Sequence, residues 1–114
     1  MKYVASLALA MVTATAAGAT RPATEQEVEA IRNGMERQLA DARSARFDTV
    51  QVDDEGHICG LVNAKNRMGA YVGYQAFTGM LFEIDGKLTA IPMGVGEDSI
   101  SRKMCASKGF VLPP

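Results

Sequence analysis

The chain predicts an α+β domain: an N-terminal helix packed on a four- to five-stranded antiparallel sheet, with a short C-terminal helix closing the fold. Three observations carry that expectation. Apolar residues recur at three- and four-residue intervals in one early stretch, Val28, Ile31, Met35 and Leu39, which lines them along one stripe of a helix. Later segments are strand-like, several of them alternating apolar with polar residues, and are separated by Gly-, Asp- and Asn-containing turns. Between two of these segments lies Asp85-Gly86, a dipeptide suited to a two-residue hairpin turn.

Ahead of the domain, Lys2 provides a short positive start, residues 3–13 an apolar run, and Ala17-Gly18-Ala19 a small-x-small cleavage site. This is the pattern of a signal peptide spanning residues 1–19, with cleavage after Ala19 and one small domain over residues 20–114. The segment has no cysteine to accept a lipid, and its apolar run is too short to span a bilayer. The expected product is therefore periplasmic or secreted, with no stable membrane anchor.

Thr24 and Glu27 have the spacing of a capping box, which places the start of the first helix. Glu29, Arg32, Glu36, Arg37 and Asp41 fall off the apolar stripe and read as a solvated face, with Arg32–Glu36 and Arg37–Asp41 as i,i+4 pairs. Gly34 interrupts this helix and implies either a close approach or a bend. Residues 47–52 then read as a first strand, Asp53-Asp54-Glu55-Gly56 as a turn, and residues 57–63 as an interior strand apolar on both faces. Residues 64–69 form a polar connection. Residues 70–78 are an aromatic third strand bending at Gly73, and residues 80–84 and 87–92 are strands four and five, with Pro92 favouring an edge. Asp98 or Ser99 can cap the closing helix.

The formal charge is −1 at pH 7, one unit more negative once Lys2 leaves with the leader. No basic cluster is present to displace counterions from a phosphate backbone, so nucleic acid is not an expected partner. The apolar fraction of 47% supports a packed core and argues against disorder. Cys59 and Cys105 are an even pair in an exported chain and predict a disulfide. Closing a loop of about 47 residues penalises the unfolded state by roughly 4 kcal/mol, a large share of a small domain's margin.

Candidate chemistry is sparse. His57 and Cys59 point the same way on a strand, yet residues two apart lie about 6 to 7 Å from each other, too far for a base to reach a thiol directly. A metal reading gathers Asp53, Asp54, Glu55 and His57, but the spacing departs from a calcium loop and one histidine is too few for zinc. Gly69, Gly73 and Gly79 lie in strand-like sequence without a following helix, so no phosphate cradle is expected. No catalytic residue, metal ligand or cofactor is assigned. Residues 63–74, NAKNRMGAYVGY, are the most distinctive stretch: Asn63, Lys65, Asn66 and Arg67 offer donors close to Tyr71 and Tyr74, a composition suited to recognising a protein or glycan.

The segment ICGLVNAKNRMGAYVGYQAF, with SARFDTV before it, resembles the core of a family of small exported bacterial and phage-associated proteins. Their shared pattern is close to SAxF followed by CGxVNAKNxxGxYxGxxxF. The likeness covers residues 44–77. It brings no catalytic or binding residue with it. It implies only that Cys59, Gly60, Asn63, Asn66, Gly69 and Gly73 belong to a common framework.

The function expected on these grounds is non-enzymatic: an exported domain binding an envelope protein or glycan through residues 63–74. Two alternatives are a thiol-dependent enzyme using Cys59 and an inhibitor or immunity protein for an envelope hydrolase.

Overall fold

Thr24 starts the first helix as its spacing with Glu27 predicts: the Glu27 amide donates to the Thr24 hydroxyl at 3.1 Å, and the Thr24 amide to Glu27 Oε1 at 2.9 Å. The computed structural model describes residues 19–114; the signal peptide expected over residues 1–19 lies, apart from Ala19, outside them. Helix α1 spans Glu25–Gly34 and buries Ile31, while the following 3-10 turn, Met35–Arg37, buries Met35. The helix therefore stops well before Leu39. Gly34 explains the geometry, because a Cβ there would lie 2.5 Å from the Ala90 carbonyl oxygen and 2.8 Å from Pro92 Cδ. The missing side chain lets the helix end press against the sheet.

Five antiparallel strands follow one another in sheet order: β1 (Thr20–Pro22), β2 (Arg46–Asp53), β3 (His57–Lys65), β4 (Tyr71–Ile84) and β5 (Lys87–Met93). Two corrections to the expected strands stand out. Residues 20–22, which none of the expected strands includes, form the edge strand β1 against residues 51–53 of β2. Residues 70–78 and 80–84, expected as two strands, form the single strand β4. Gly79 does not break it. It gives β5 room instead, since a Cβ there would lie 2.5 Å from the Ile91 carbonyl oxygen. The β4–β5 turn has positive φ at both central residues, Asp85 (52°) and Gly86 (78°), as a two-residue hairpin requires. Pro92 sits on β5, an edge strand, where a missing amide donor is tolerated.

The alternating pleat sends side chains to two differently covered faces. On one, Val50, Val52, Ile58, Val62, Phe77 and Leu81 share a core with Ala30 and Ile31 of α1 and with Met35, Ala42 and Ala45 from the segments after it, α1 itself lying chiefly against β5, and Phe47 stands edge-on to Phe77 at 5.9 Å between centroids. Ile31, Ile58 and Phe77 are fully buried, and each contributes about 1.5–3 kcal/mol by leaving water. On the other face lies helix α2 (Asp98–Ser107), joined to β3 by the Cys59–Cys105 disulfide with Cα atoms 5.9 Å apart. Phe110 and Leu112 pack around that bond. Because β3 faces a core cluster on each side, its segment from Ile58 to Asn63 is buried throughout.

The polar contacts differ from the sequence expectation at two places. Arg32 turns inward rather than pairing with Glu36: its Nη1 donates to the carbonyls of Ala42, Arg43 and Ala45 at 3.1, 3.2 and 2.7 Å. Arg43 takes Glu29 at 2.7 Å, and neither the Arg32–Glu36 nor the Arg37–Asp41 ion pair forms. Asp98 does not cap α2; Glu97 holds that position without a side-chain bond. The Asp98 carboxylate instead accepts the Ala76 amide at 2.7 Å and Arg102 Nε at 2.9 Å, tying the helix start to β4. Among the described residues, no helix is long and apolar enough to cross a membrane.

Candidate functional site

Residues 63–74 form the end of β3, a tight turn and the start of β4, and their polar side chains divide into two groups. Asn66 builds the turn: its Oδ1 accepts the amides of Met68 and Ala70 at 2.9 and 3.1 Å, and its carbonyl accepts the Gly69 amide at 3.0 Å. Gly69 completes it with φ of 84°. Asn63, 9% exposed, accepts the Gly73 amide at 2.8 Å, where Gly73 has φ of 101° and the β3–β4 register shifts. The expected bend at Gly73 is therefore a bulge held by a side chain. Tyr71 donates its hydroxyl to the Ser44 carbonyl at 2.8 Å, and its ring lies 3.9 Å from the Arg46 guanidinium and 5.5 Å from the Lys65 ammonium. Asn63, Asn66 and Tyr71 are thus engaged within the chain. Arg67 and Tyr74 remain exposed, and Lys65 is half-buried.

A cleft of about 300 Å³ opens beside this turn. Val62, Ala64 and Val72 line it on the sheet side, and Leu39 and Val95 add apolar surface from two other segments. Lys65, Asn66 and Arg67 border it from the turn, with Gln38 and Gln75 as further polar groups. The cleft exists because α1 ends at Gly34. Residues 38–40 then run on past the helix end, and the glycine-containing loop at residues 94–96 bounds the opening. Asn63, Tyr71 and Tyr74 do not line it. Gln38, Leu39 and Val95 do, and only the helix-interrupting Gly34 and the Gly94-Val95-Gly96 break hinted in sequence that these segments could meet.

The electrostatics of the cleft follow from local composition. From residue 56 to residue 82 the chain has no Asp or Glu, so the turn contributes Lys65 and Arg67 without a carboxylate of its own. Neither forms an ion pair among the described residues. Asp41, just beyond Ala40, is held below the usual carboxyl range first by hydrogen bonding to Ser44, with the Lys65 charge adding to the effect.

The other two groups weighed from the sequence have structural employment. Cys59 is bonded to Cys105, and no cysteine among the described residues is free, so a thiol mechanism has no nucleophile in this state. Asp53, Glu55 and His57 converge, with ligand atoms within 4.8 Å, while Asp54 stays outside the group. Asp53 is the organiser: its Oδ1 accepts the amides of Glu55 and His57 at 2.9 and 2.8 Å, and its Oδ2 lies 2.9 Å from His57 Nδ1. Burial pushes the Asp53 carboxyl up, but these hydrogen bonds outweigh it and the net shift is downward. This arrangement closes the β2–β3 turn.

The six positions that the family resemblance marks as a framework each have a structural task. Cys59 forms the disulfide, Asn63 and Asn66 brace backbone amides, and Gly69 and Gly73 adopt positive φ. Gly60 is the tightest, since a Cβ there would meet Val50 Cγ2 at 2.9 Å and Phe77 Cε1 at 3.1 Å. Compared with protein-family models, with curated proteins and with solved structures, the chain finds no match.

Proposed function

We propose that this protein is a non-enzymatic binding domain of the cell envelope or extracellular space, engaging a protein partner through the cleft beside the β3–β4 turn. One observation carries the reading: Lys65 and Arg67 border a preformed depression with an apolar lining. A few polar groups around an apolar hollow are the usual composition of a recognition site. The buried disulfide supports an oxidising compartment, in keeping with export by a leader cleaved after Ala19. Strand β1 begins at Thr20, the first residue of the mature chain under that cleavage.

Affinity capture from the source envelope tests the reading. The paired substitution Lys65→Ala and Arg67→Ala removes both charges while leaving Asn66 to hold the turn, so the fold is retained. The proposal expects a partner recovered with the parent protein to be lost with the variant. An unchanged set of recovered proteins overturns it.

A further inference from the structure

The size, lining and charge of the cleft restrict what it can take. At about 300 Å³ it stands at the small end of ligand sites, enough for one amino-acid residue rather than an extended peptide. Val62, Ala64, Val72 and Leu39 favour an apolar side chain there. Arg67 supplies a planar donor with no carboxylate partner among the described residues, suited to binding a carboxylate through two parallel hydrogen bonds. A single residue that carries both an apolar side chain and a carboxylate, the two bonded to one Cα, is the last residue of a polypeptide.

We infer that the cleft receives the C-terminal residue of the partner protein, with an apolar side chain on the Val62–Val72 floor and the terminal carboxylate against Arg67, Lys65 standing beside it. This rests on the binding role proposed above and narrows its partner to a free chain end. An internal acidic side chain fits less well. It would bring its carboxylate on a flexible stem and require two neighbouring residues to meet both requirements in a space sized for one.

The test is a titration of the disulfide-intact, exported, ¹⁵N-labelled protein followed by amide resonances. Three probes are compared: N-acetyl-Ala-Ala-Leu with a free carboxylate, the same peptide as its C-terminal amide, and N-acetyl-Ala-Ala-Glu amide. The free acid is expected to shift the amides of Val62, Ala64, Val72 and Val95 and to bind roughly tenfold more tightly than the amide, the factor appropriate to a charge-assisted hydrogen bond. Arg67→Ala should remove that preference, and the unchanged dispersion of the spectrum reports that the exposed substitution leaves the fold intact. Equal affinity of acid and amide overturns the inference, as does tighter binding of the glutamate peptide or a free acid that shifts no cleft amide at millimolar concentration. If the peptides fail while the Lys65/Arg67 double variant still loses its captured partner, the chain-end inference falls and the binding reading stands. If the capture is also unaffected, both fall.

Discussion

Replacing Cys59 and Cys105 together by alanine removes the one covalent tie between α2 and the middle of the sheet. The bond spans a sequence separation of 46 residues, and releasing a loop of that length returns about 4 kcal/mol of freedom to the unfolded chain. Both sulfurs are buried, Cys59 at 0% and Cys105 at 1% exposure, so the lost packing adds roughly 1 kcal/mol. The total approaches the whole margin of a small domain, about 5–10 kcal/mol. Urea titration followed by circular dichroism, without reductant, measures it. With a slope of about 1.5 kcal/mol/M, the midpoint should fall by about 3 M. The variant should still fold, because Asp98 on the Ala76 amide and Ser101 on the Gly94 carbonyl keep α2 docked. A midpoint within about 0.5 M of the parent would refute the claim that this link confines the unfolded chain.

Three further outcomes follow from contacts in the first helix and the central strand. Glu27→Ala removes the acceptor of the Thr24 amide and the two-point contact with Arg21 at 2.8 and 2.7 Å, while the Thr24 hydroxyl keeps its bond from the residue-27 amide; it should lower stability by about 1 kcal/mol in the same urea assay, most of it from the lost amide bond because Arg21 is half-exposed. The Arg21 hydrogen bond, with lesser help from Thr24 and against burial, holds the folded Glu27 carboxyl below its ordinary value of 4.5. A depressed folded value means that the stabilisation is fully present above pH 4.5 and is lost as pH falls through the folded value; Glu27→Gln should flatten that acid limb, and an unaltered limb refutes the assignment. Gly60→Ala should cost about 1–3 kcal/mol, read as a lower thermal midpoint, because the new Cβ would press on Val50 and Phe77 in a filled core.

Much of the fold was legible because local rules and tertiary packing agreed. The capping box, the Asp85-Gly86 hairpin, the doubly buried β3 and the Cys59–Cys105 bridge each follow from short-range chemistry or from compartment. Gly34 and Gly79 were harder to read. A glycine that interrupts an element and a glycine that admits a neighbour look alike in sequence, and only the positions of Ala90 and Ile91 distinguish them. Strand β1 leaves no mark in the sequence, because three residues show no period; it forms through its pairing with β2. The polar stretch was recognised as distinctive, but composition alone does not reveal which donors are already engaged. Asn63, Asn66 and Tyr71 serve the backbone, whereas Lys65 and Arg67 border a hollow whose far wall comes from residues 38–40, a juxtaposition created by the helix ending early.

The contact between Asp98 and Ala76 also bears on the open edge of the sheet. Strand β4 is twice the length of β5, and β5 pairs with it only from Thr78 onward, so among the described residues the margin of β4 before that point has no strand beside it on that side. Such a bare margin can template the addition of strands from other molecules. The Asp98 carboxylate occupies the amide that an incoming strand would need and places a negative charge in its path. One acidic side chain thereby anchors a helix and discourages polymerisation along the sheet.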